Sequence, residues 1–166
     1  IGILVLRRGV DIPALIHGGG QEREIRSGTV NAPSIIALAT AISENGYRAD
    51  SVASLRKRFE SGVKEILPDA RINGEDVSRL PGISSVTIPG ALNETLLLLL
   101  DSEKISCSTG AACTAGVHRP SHVLEAMGLE EDLVMSTLRF SSGATTSEAD
   151  IDAVLAALPT VVERAR

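Results

Sequence analysis

Tryptophan is missing from these 166 residues, tyrosine occurs once and phenylalanine twice. The core must therefore be built from Leu, Ile, Val and Ala. Cysteine occurs only twice. That is too few for a disulfide scaffold and makes a reducing cytoplasm the default location. No apolar stretch approaches the ~20 residues that a membrane-spanning helix needs. The longest, residues 96–100, reads as one short buried segment, and no leader pattern stands at the start. No basic run is longer than Arg56-Lys57-Arg58, and the net charge is −5. Direct nucleic-acid binding is therefore not expected, because a phosphate backbone needs clustered cations. An initiator Met is also lacking. Ile1-Gly2-Ile3-Leu4-Val5-Leu6 reads like a strand whose preceding chain has been removed, so a fragment with an exposed first strand is expected.

What is there is globular: 43% hydrophobic and 22% charged. Residues 3–6 read as a strand stopped by Arg7-Arg8-Gly9. The stretch HGGGQEREIRSGT, residues 17–29, is loop, since three consecutive glycines hold neither a helix nor a packed strand. Pro33 opens a helix carrying Ile35, Ile36, Leu38, Ala39 and Ile42, weakened or ended at Gly46. Val52, Leu55, Phe59, Val63 and Ile66 recur at helical spacing until Pro68. Residues 84–88 read as a strand, and Asn93 as the cap of a leucine-rich helix with Glu94 near its positive end. Residues 105–108 predict a short strand, 120–127 a short helix ended by Gly128, and 137–141 a strand. Thr146-Ser147-Glu148-Ala149-Asp150 opens a last helix with Ile151, Val154, Leu155, Leu158, Val161 and Val162 on one face; Pro159 should kink it. The expected class is α/β, a small sheet with helices packed on it. Residues 1–32 are expected to form the end of one domain, 33–48 a connecting helix, and 49–166 a small C-terminal domain.

Three places invite chemistry. In SCSTGAACTAGVHRP, residues 106–120, Cys107 and Cys113 precede His118 and His122. The His-x3-His spacing suits zinc, but the cysteine gap and the spacer before His118 do not fit finger-type sites, and Pro120 interrupts the pair. No metal site is expected. A Cys107–Cys113 disulfide is geometrically possible in such a loop. A reactive thiol at Cys113 is the third reading: its neighbours are too small to bury it, whereas Cys107 suits a packed role behind Ile105. No cation adjoins Cys113 in sequence, so activation must come from a bound cofactor or substrate. The glycine loop offers backbone N–H groups and the Thr29 hydroxyl to an anion, or is simply an ordered loop. It matches neither a P-loop nor a dinucleotide fingerprint. Arg139 interrupts a strand pattern. Alternation puts Leu138 and Phe140 toward the core and Arg139 on the opposite face, where it is either solvated or grips a carboxylate.

Taken together, HGGGQEREIRSGT, STGAACTAG, RPSHVLEAMG and STLRFSSGATTSEADID resemble, in this order, the C-terminal part of a NifS/IscS-type cysteine desulfurase. The resemblance runs nearly the whole chain. It implies the small C-terminal domain of a pyridoxal-phosphate enzyme of fold type I, the aspartate-aminotransferase-like fold, with the last strand and glycine loop of the large domain. It further implies a homodimer that takes sulfur from L-cysteine, leaves L-alanine and carries the sulfur as a persulfide to an iron–sulfur scaffold or a tRNA-thiolation enzyme. On the matching positions, Cys113 is the persulfide-forming nucleophile, Arg139 the substrate-carboxylate ligand, and Thr29 the residue reaching the cofactor phosphate of the other subunit. The loop around residues 108–117 resembles the long, mobile type.

Two positions depart from the family pattern: Glu24 stands where glycine is frequent, and Ala111 where serine is. A larger departure is the Schiff-base lysine. Only Lys57, Lys64 and Lys104 are present, and none lies in the family's His-Lys segment. The chain alone is expected to be inactive. Rival readings are another class V aminotransferase, a selenocysteine lyase, or a non-enzymatic sulfur-carrier or interaction module.

Overall fold

The computed structural model describes residues 1–44, 49–109 and 120–166. The chain divides into two compact units, Ile1–Tyr47 and Arg48–Arg166.

The first unit holds a tight turn at Gln21–Glu24 and one long helix, α1 (Ala32–Glu44). Asn31 caps α1, its Oδ1 accepting the N–H of Ser34 at 3.2 Å. Residues 3–6 form no strand, contrary to the sequence pattern. A strand needs a ladder partner for its N–H and C=O groups. Among the described residues of this unit the one pairing is an isolated parallel bridge between Ile16 and Arg26. Ile3, Leu4 and Val5 consequently stand exposed, as do Ile36 and Ile42 of α1.

The second unit is a four-stranded antiparallel sheet in the order β1-β2-β4-β3, built from β1 (Arg71–Ile72), β2 (Ile83–Thr87), β3 (Ser108–Thr109) and β4 (Thr137–Ser141). Around it run α2 (Ala49–Ile66), α3 (Asn93–Ser102), α4 (His122–Ala126), α5 (Glu131–Val134) and α6 (Glu148–Ala165). The helix period in α2 turns Val52, Phe59 and Val63 inward. In α3 it buries Leu96 and Leu100 completely and leaves Leu98 outside. Ile151, Leu158, Val161 and Val162 of α6 join them over Ile72, Val86, Ile88 and Leu138 of the strands. All three long helices of this unit thus meet one face of the sheet, and that face is the core. The two phenylalanines pack there with ring centroids 4.9 Å apart, which makes Phe59–Phe140 the aromatic contact between α2 and β4.

Polar groups fasten this layer. Arg79 grips Glu60 with two parallel hydrogen bonds of 2.8 and 3.1 Å, and the Ser84 hydroxyl donates to the same carboxylate at 2.8 Å. The loop before β2 is thereby tied to α2 through a mostly buried pair. Close approaches matter at Gly82: a Cβ there would lie 2.2 Å from the carbonyl oxygen of Ser142. The α3 helix ends with Lys104 in the left-handed region at φ 62° and the N–H of Ile105 bonded to the Leu100 carbonyl at 2.9 Å. That is the geometry glycine usually supplies.

Several sequence expectations shift by a residue or more. Leu92, not Asn93, occupies the cap position of α3, without a side-chain cap. Asn93 is buried inside the first turn, its amide facing the Thr137 carbonyl at 3.5 Å. The strand expected at 105–108 begins at Ser108 and is two residues long. The helix expected from Pro120 begins at His122 with Ser121 before it. In α6 the chain runs through Pro159 as one helix to Ala165. Within the polar stretch expected to open α6, Ser147 and Asp150 form a capping box. The loop segment 110–119, with Cys113 and His118, and the expected break at Gly46 lie outside the described residues.

Candidate functional site

Strand alternation divides the sheet into two chemically unlike faces. Ser84, Val86 and Ile88 of β2 and its extension turn toward the helices, as do Leu138 and Phe140 of β4. Ser85 and Thr87 turn the other way, paired across the ladder with Arg139 and Thr137. Ser108 of β3 is the other register partner of Arg139. Arg139 is exposed on this second face, where alternation predicted it. Its guanidinium makes no hydrogen bond or ion pair with the side chain or backbone of any other described residue.

Hydroxyls and amides surround it. The Asn73 amide nitrogen donates to Ser85 Oγ at 3.0 Å and to Thr87 Oγ1 at 2.9 Å. Thr87 and Thr137 touch hydroxyl to hydroxyl at 2.7 Å, and Thr137 donates to the Leu133 carbonyl at 2.7 Å. Thr87 and Thr137 are buried, so each of these bonds satisfies a group that water does not reach. Sequence reading picked out Arg139 and missed this network. Its signal was the run of hydroxyl residues at alternate strand positions, Ser85 and Thr87, which read simply as a strand.

Of the two cysteines, Cys107 lies among the described residues. Cys107 is half-buried and packs against the core cluster. Burial, with a smaller contribution from the nearby charge of Asp101, pushes its thiol up to about 11. At neutral pH it is therefore almost wholly protonated, the state without nucleophilic power. Cys113 follows Thr109 by four residues and lies outside the described segments. Among the described residues no group of three or more His, Cys, Asp or Glu side chains is arranged to hold a metal.

Thr29 lies in the first unit, exposed, at the end of a strained turn. Glu22, Arg23 and Glu24 all take left-handed backbone angles, φ 53°, 57° and 63°. Each costs about 1–2 kcal/mol for a residue with a Cβ. The frequent glycine of the resembling family at position 24 would carry no such cost. The loop is closed by Gln21, whose Oε1 accepts the N–H of Gly28 at 2.9 Å, just before Thr29. Thr29 and Arg139 belong to different units, and each is placed only within its own.

Pyridoxal phosphate needs a lysine amine for its covalent link. Lys57 and Lys64 are exposed on α2, and Lys64 is paired with Glu75. Lys104 sits at the exposed end of α3. The unit that carries Thr29 has no lysine. The residues of this chain therefore do not by themselves fit covalent capture of that cofactor. A cavity of about 340 Å³ opens on the helix side, lined by Phe59, Ser84, Ile105, Phe140, Asp150 and Val154 among others. Arg139 does not line it. No helix among the described residues is long and apolar enough to cross a membrane.

Residues 3–154 match the family described as aminotransferase class-V. An IscS-like cysteine desulfurase of Mycobacterium tuberculosis is 47% identical to the chain, over all of it and 44% of the relative. A cysteine desulfurase of Sinorhizobium fredii is 39% identical, again over the whole chain and 44% of its own length. Among solved structures, a NifS-like protein from Rickettsia africae superposes with a TM-score of 0.72 at 30% identity, covering 93% of this chain and 41% of that one. The chain belongs to the class-V aminotransferase family and has the α/β architecture of its NifS-like members. It spans a little under half the length of the curated relatives it matches.

Proposed function

We propose that this class-V aminotransferase chain is the C-terminal part of a pyridoxal-phosphate-dependent cysteine desulfurase, carrying the substrate-carboxylate ligand and the sulfur-accepting thiol. The observation that supports this reading is Arg139: a guanidinium exposed on the face opposite α2, α3 and α6, unpaired among the described residues and in register with the short strand that leads in sequence toward Cys113. A guanidinium fork binds a carboxylate through two parallel hydrogen bonds. Arg139 would hold L-cysteine by that group and so fix which way its thiol projects.

When bound, the cofactor withdraws electrons from the substrate's α-carbon. The thiolate of Cys113 attacks the substrate sulfur. The Cβ–S bond of cysteine breaks with its electron pair left on the carbon skeleton, an S–S bond forms on Cys113, and the reduced carbon takes up a proton and leaves as L-alanine. The persulfide is then passed to an acceptor such as an iron–sulfur scaffold or a tRNA-thiolation enzyme. The protonated, half-buried Cys107 takes no part in this chemistry. Thr29 would reach the cofactor phosphate across a homodimer, and the lysine would come from chain outside these 166 residues. In domain terms, residues 1–32 would end the large domain, 33–48 connect, and 49–166 form the small domain of a cytoplasmic enzyme.

Two assays test the proposal. The 166-residue chain, given pyridoxal phosphate and L-cysteine, should yield no sustained alanine, whereas a protein of the relatives' length should. In that longer protein Cys113→Ser should abolish sulfur transfer, and Cys107→Ser should spare it. Retained desulfuration by the Cys113→Ser protein would instead favour an aminotransferase or lyase that does not use the thiol.

A further inference from the structure

The hydroxyl network beside Arg139 has a direction, and the direction can be worked out. Each Ser or Thr hydroxyl has one proton to give. Thr137 gives its proton to the Leu133 carbonyl at 2.7 Å. The Thr87 proton then has two acceptors in reach, Thr137 Oγ1 at 2.7 Å and Asn73 Oδ1 at 3.3 Å, of which Thr137 is the nearer. Thr87 in turn accepts from the Asn73 amide nitrogen at 2.9 Å. The second N–H of that nitrogen goes to Ser85 Oγ at 3.0 Å. Ser85 is an acceptor toward Asn73, and its own proton has no acceptor among the described residues.

Ladder geometry sets this hydroxyl next to Arg139. The N–H of Ser142 bonds the Gly82 carbonyl at 2.8 Å, and the N–H of Ile88 bonds the Ser136 carbonyl at 2.8 Å. Both fall on even-numbered residues of the β2 side. The intervening pairs, Ser85 with Arg139 and Thr87 with Thr137, are therefore the non-hydrogen-bonded kind. Their Cα atoms approach to about 4.5 Å, and their side chains lie closest together. The 2.7 Å contact of the two threonine hydroxyls is what such a pair produces. Arg139 is purely a donor, so the free proton of Ser85 cannot be received by it. Two donors stand side by side with no acceptor between them; a third group must supply the oxygens.

We propose that Ser85 is a second donor to the substrate carboxylate, beside Arg139, and that Asn73 is the positioning residue that turns the Ser85 proton outward. The inference rests on the reading of Arg139 given above and deepens it: the guanidinium fork meets both carboxylate oxygens, and the Ser85 hydroxyl gives a third bond to one of them. The site would thereby select planar carboxylates over a bare amine thiol.

The experiment uses the pyridoxal-phosphate-loaded protein of the relatives' length. It measures dissociation constants from the change in cofactor absorbance with L-cysteine and with cysteamine, which keeps the amine and thiol and lacks the carboxylate. Ser85→Ala should weaken L-cysteine about tenfold, the cost of one hydrogen bond to a charged group, and leave cysteamine unchanged. Ser85→Thr, which keeps the hydroxyl, should restore L-cysteine binding. Asn73→Ala should shift L-cysteine in the same direction as Ser85→Ala. Arg139→Ala is the reference arm. If it weakens L-cysteine while Ser85→Ala and Asn73→Ala do not, or if those two weaken both ligands alike, the network is only structural and the inference is overturned, with the reading of Arg139 intact. If Arg139→Ala also has no effect on L-cysteine, the carboxylate reading itself falls.

Discussion

The two faces of one small sheet differ more than any two segments of the sequence. On the helix side, Val86, Ile88 and Leu138 are at most 1% exposed and lie among leucines and valines from α2, α3 and α6. On the other side, one residue along the same strands, stand Ser85, Thr87, Thr137 and Arg139. The first face obtains its stability from apolar area, which is non-directional. The second is held by hydrogen bonds whose donors and acceptors must match one by one, and Arg139 is left over. The same strands thus carry both the anchor of the fold and its candidate site, separated by a single step of the pleat.

Paired substitutions at neighbouring residues of β4 give the largest contrast. Leu138→Ala should lower unfolding free energy by about 3 kcal/mol, since a fully buried leucine leaves a cavity among packed neighbours. Arg139→Ala, exposed and unpaired with the described residues, should change it by no more than about 0.5 kcal/mol. Urea denaturation of both variants measures the difference. Equal losses would mean that the second face is as much a core as the first.

A middle-sized effect is expected from Thr137→Val, which keeps the volume and removes the hydroxyl. The buried Thr87 then loses its nearer acceptor, keeping Asn73 Oδ1 at 3.3 Å, and the Leu133 carbonyl loses one of two donors, keeping the Ser136 N–H at 3.2 Å. The expected cost is about 1.5 kcal/mol, the net worth of the two hydrogen bonds lost when neither partner is left unsatisfied. A neutral result would show that water or a rearranged Asn73 takes over, and the face would be less tightly specified than its bond lengths suggest.

Much of this was readable from residues alone. The period of Val52, Leu55, Phe59 and Val63 gave α2 its buried face, and the alternation around Leu138, Arg139 and Phe140 gave β4 its correct bounds and its two sides. The polar and acidic stretch from Thr146 to Asp150 announced the start of α6. Other features were not legible because their causes lie across the chain. Two-residue β1 exists through pairing with Val86 and Thr87, a partnership no local pattern reveals. Residues 3–6 show the converse: strong strand composition without a ladder partner in its unit gives no strand. Asn93 looked like a cap and is instead turned toward β4, where tertiary contact overrides cap preference. The proton order from Thr137 to Ser85 needed distances, because composition says only that hydroxyls are present.

The smallest effect tests whether the core face can be loosened without touching the polar one. Helix α6 lies wholly on the core side, and its first turn is held by Ser147. The Ser147 hydroxyl accepts the Asp150 N–H at 3.3 Å while Asp150 accepts the Ser147 N–H at 2.8 Å. Those bonds to Ser147, first from its backbone and then from its side chain, hold the Asp150 carboxyl below its usual range. The folded form therefore binds this proton less readily than the unfolded chain. Its contribution is full above the unfolded value near ~3.9 and disappears as pH falls through the lower folded value. Ser147→Ala should cost about 1 kcal/mol at neutral pH, the usual worth of such a cap. It should also flatten the acid limb of the stability curve below neutral pH in part only, because the variant loses the hydroxyl's bond to Asp150 and keeps the backbone N–H, the larger cause of the lowered value. The affinity for L-cysteine in the longer protein should not move, since Ser85, Asn73 and Arg139 all lie across the sheet from this helix. A parallel-sided shift, with neutral and acidic stability lowered equally, would mean that the backbone N–H of residue 147 alone holds Asp150 down. A loss of L-cysteine affinity would mean that the two faces are mechanically coupled through the strands, and that separating an anchoring side from a binding side is wrong for this sheet.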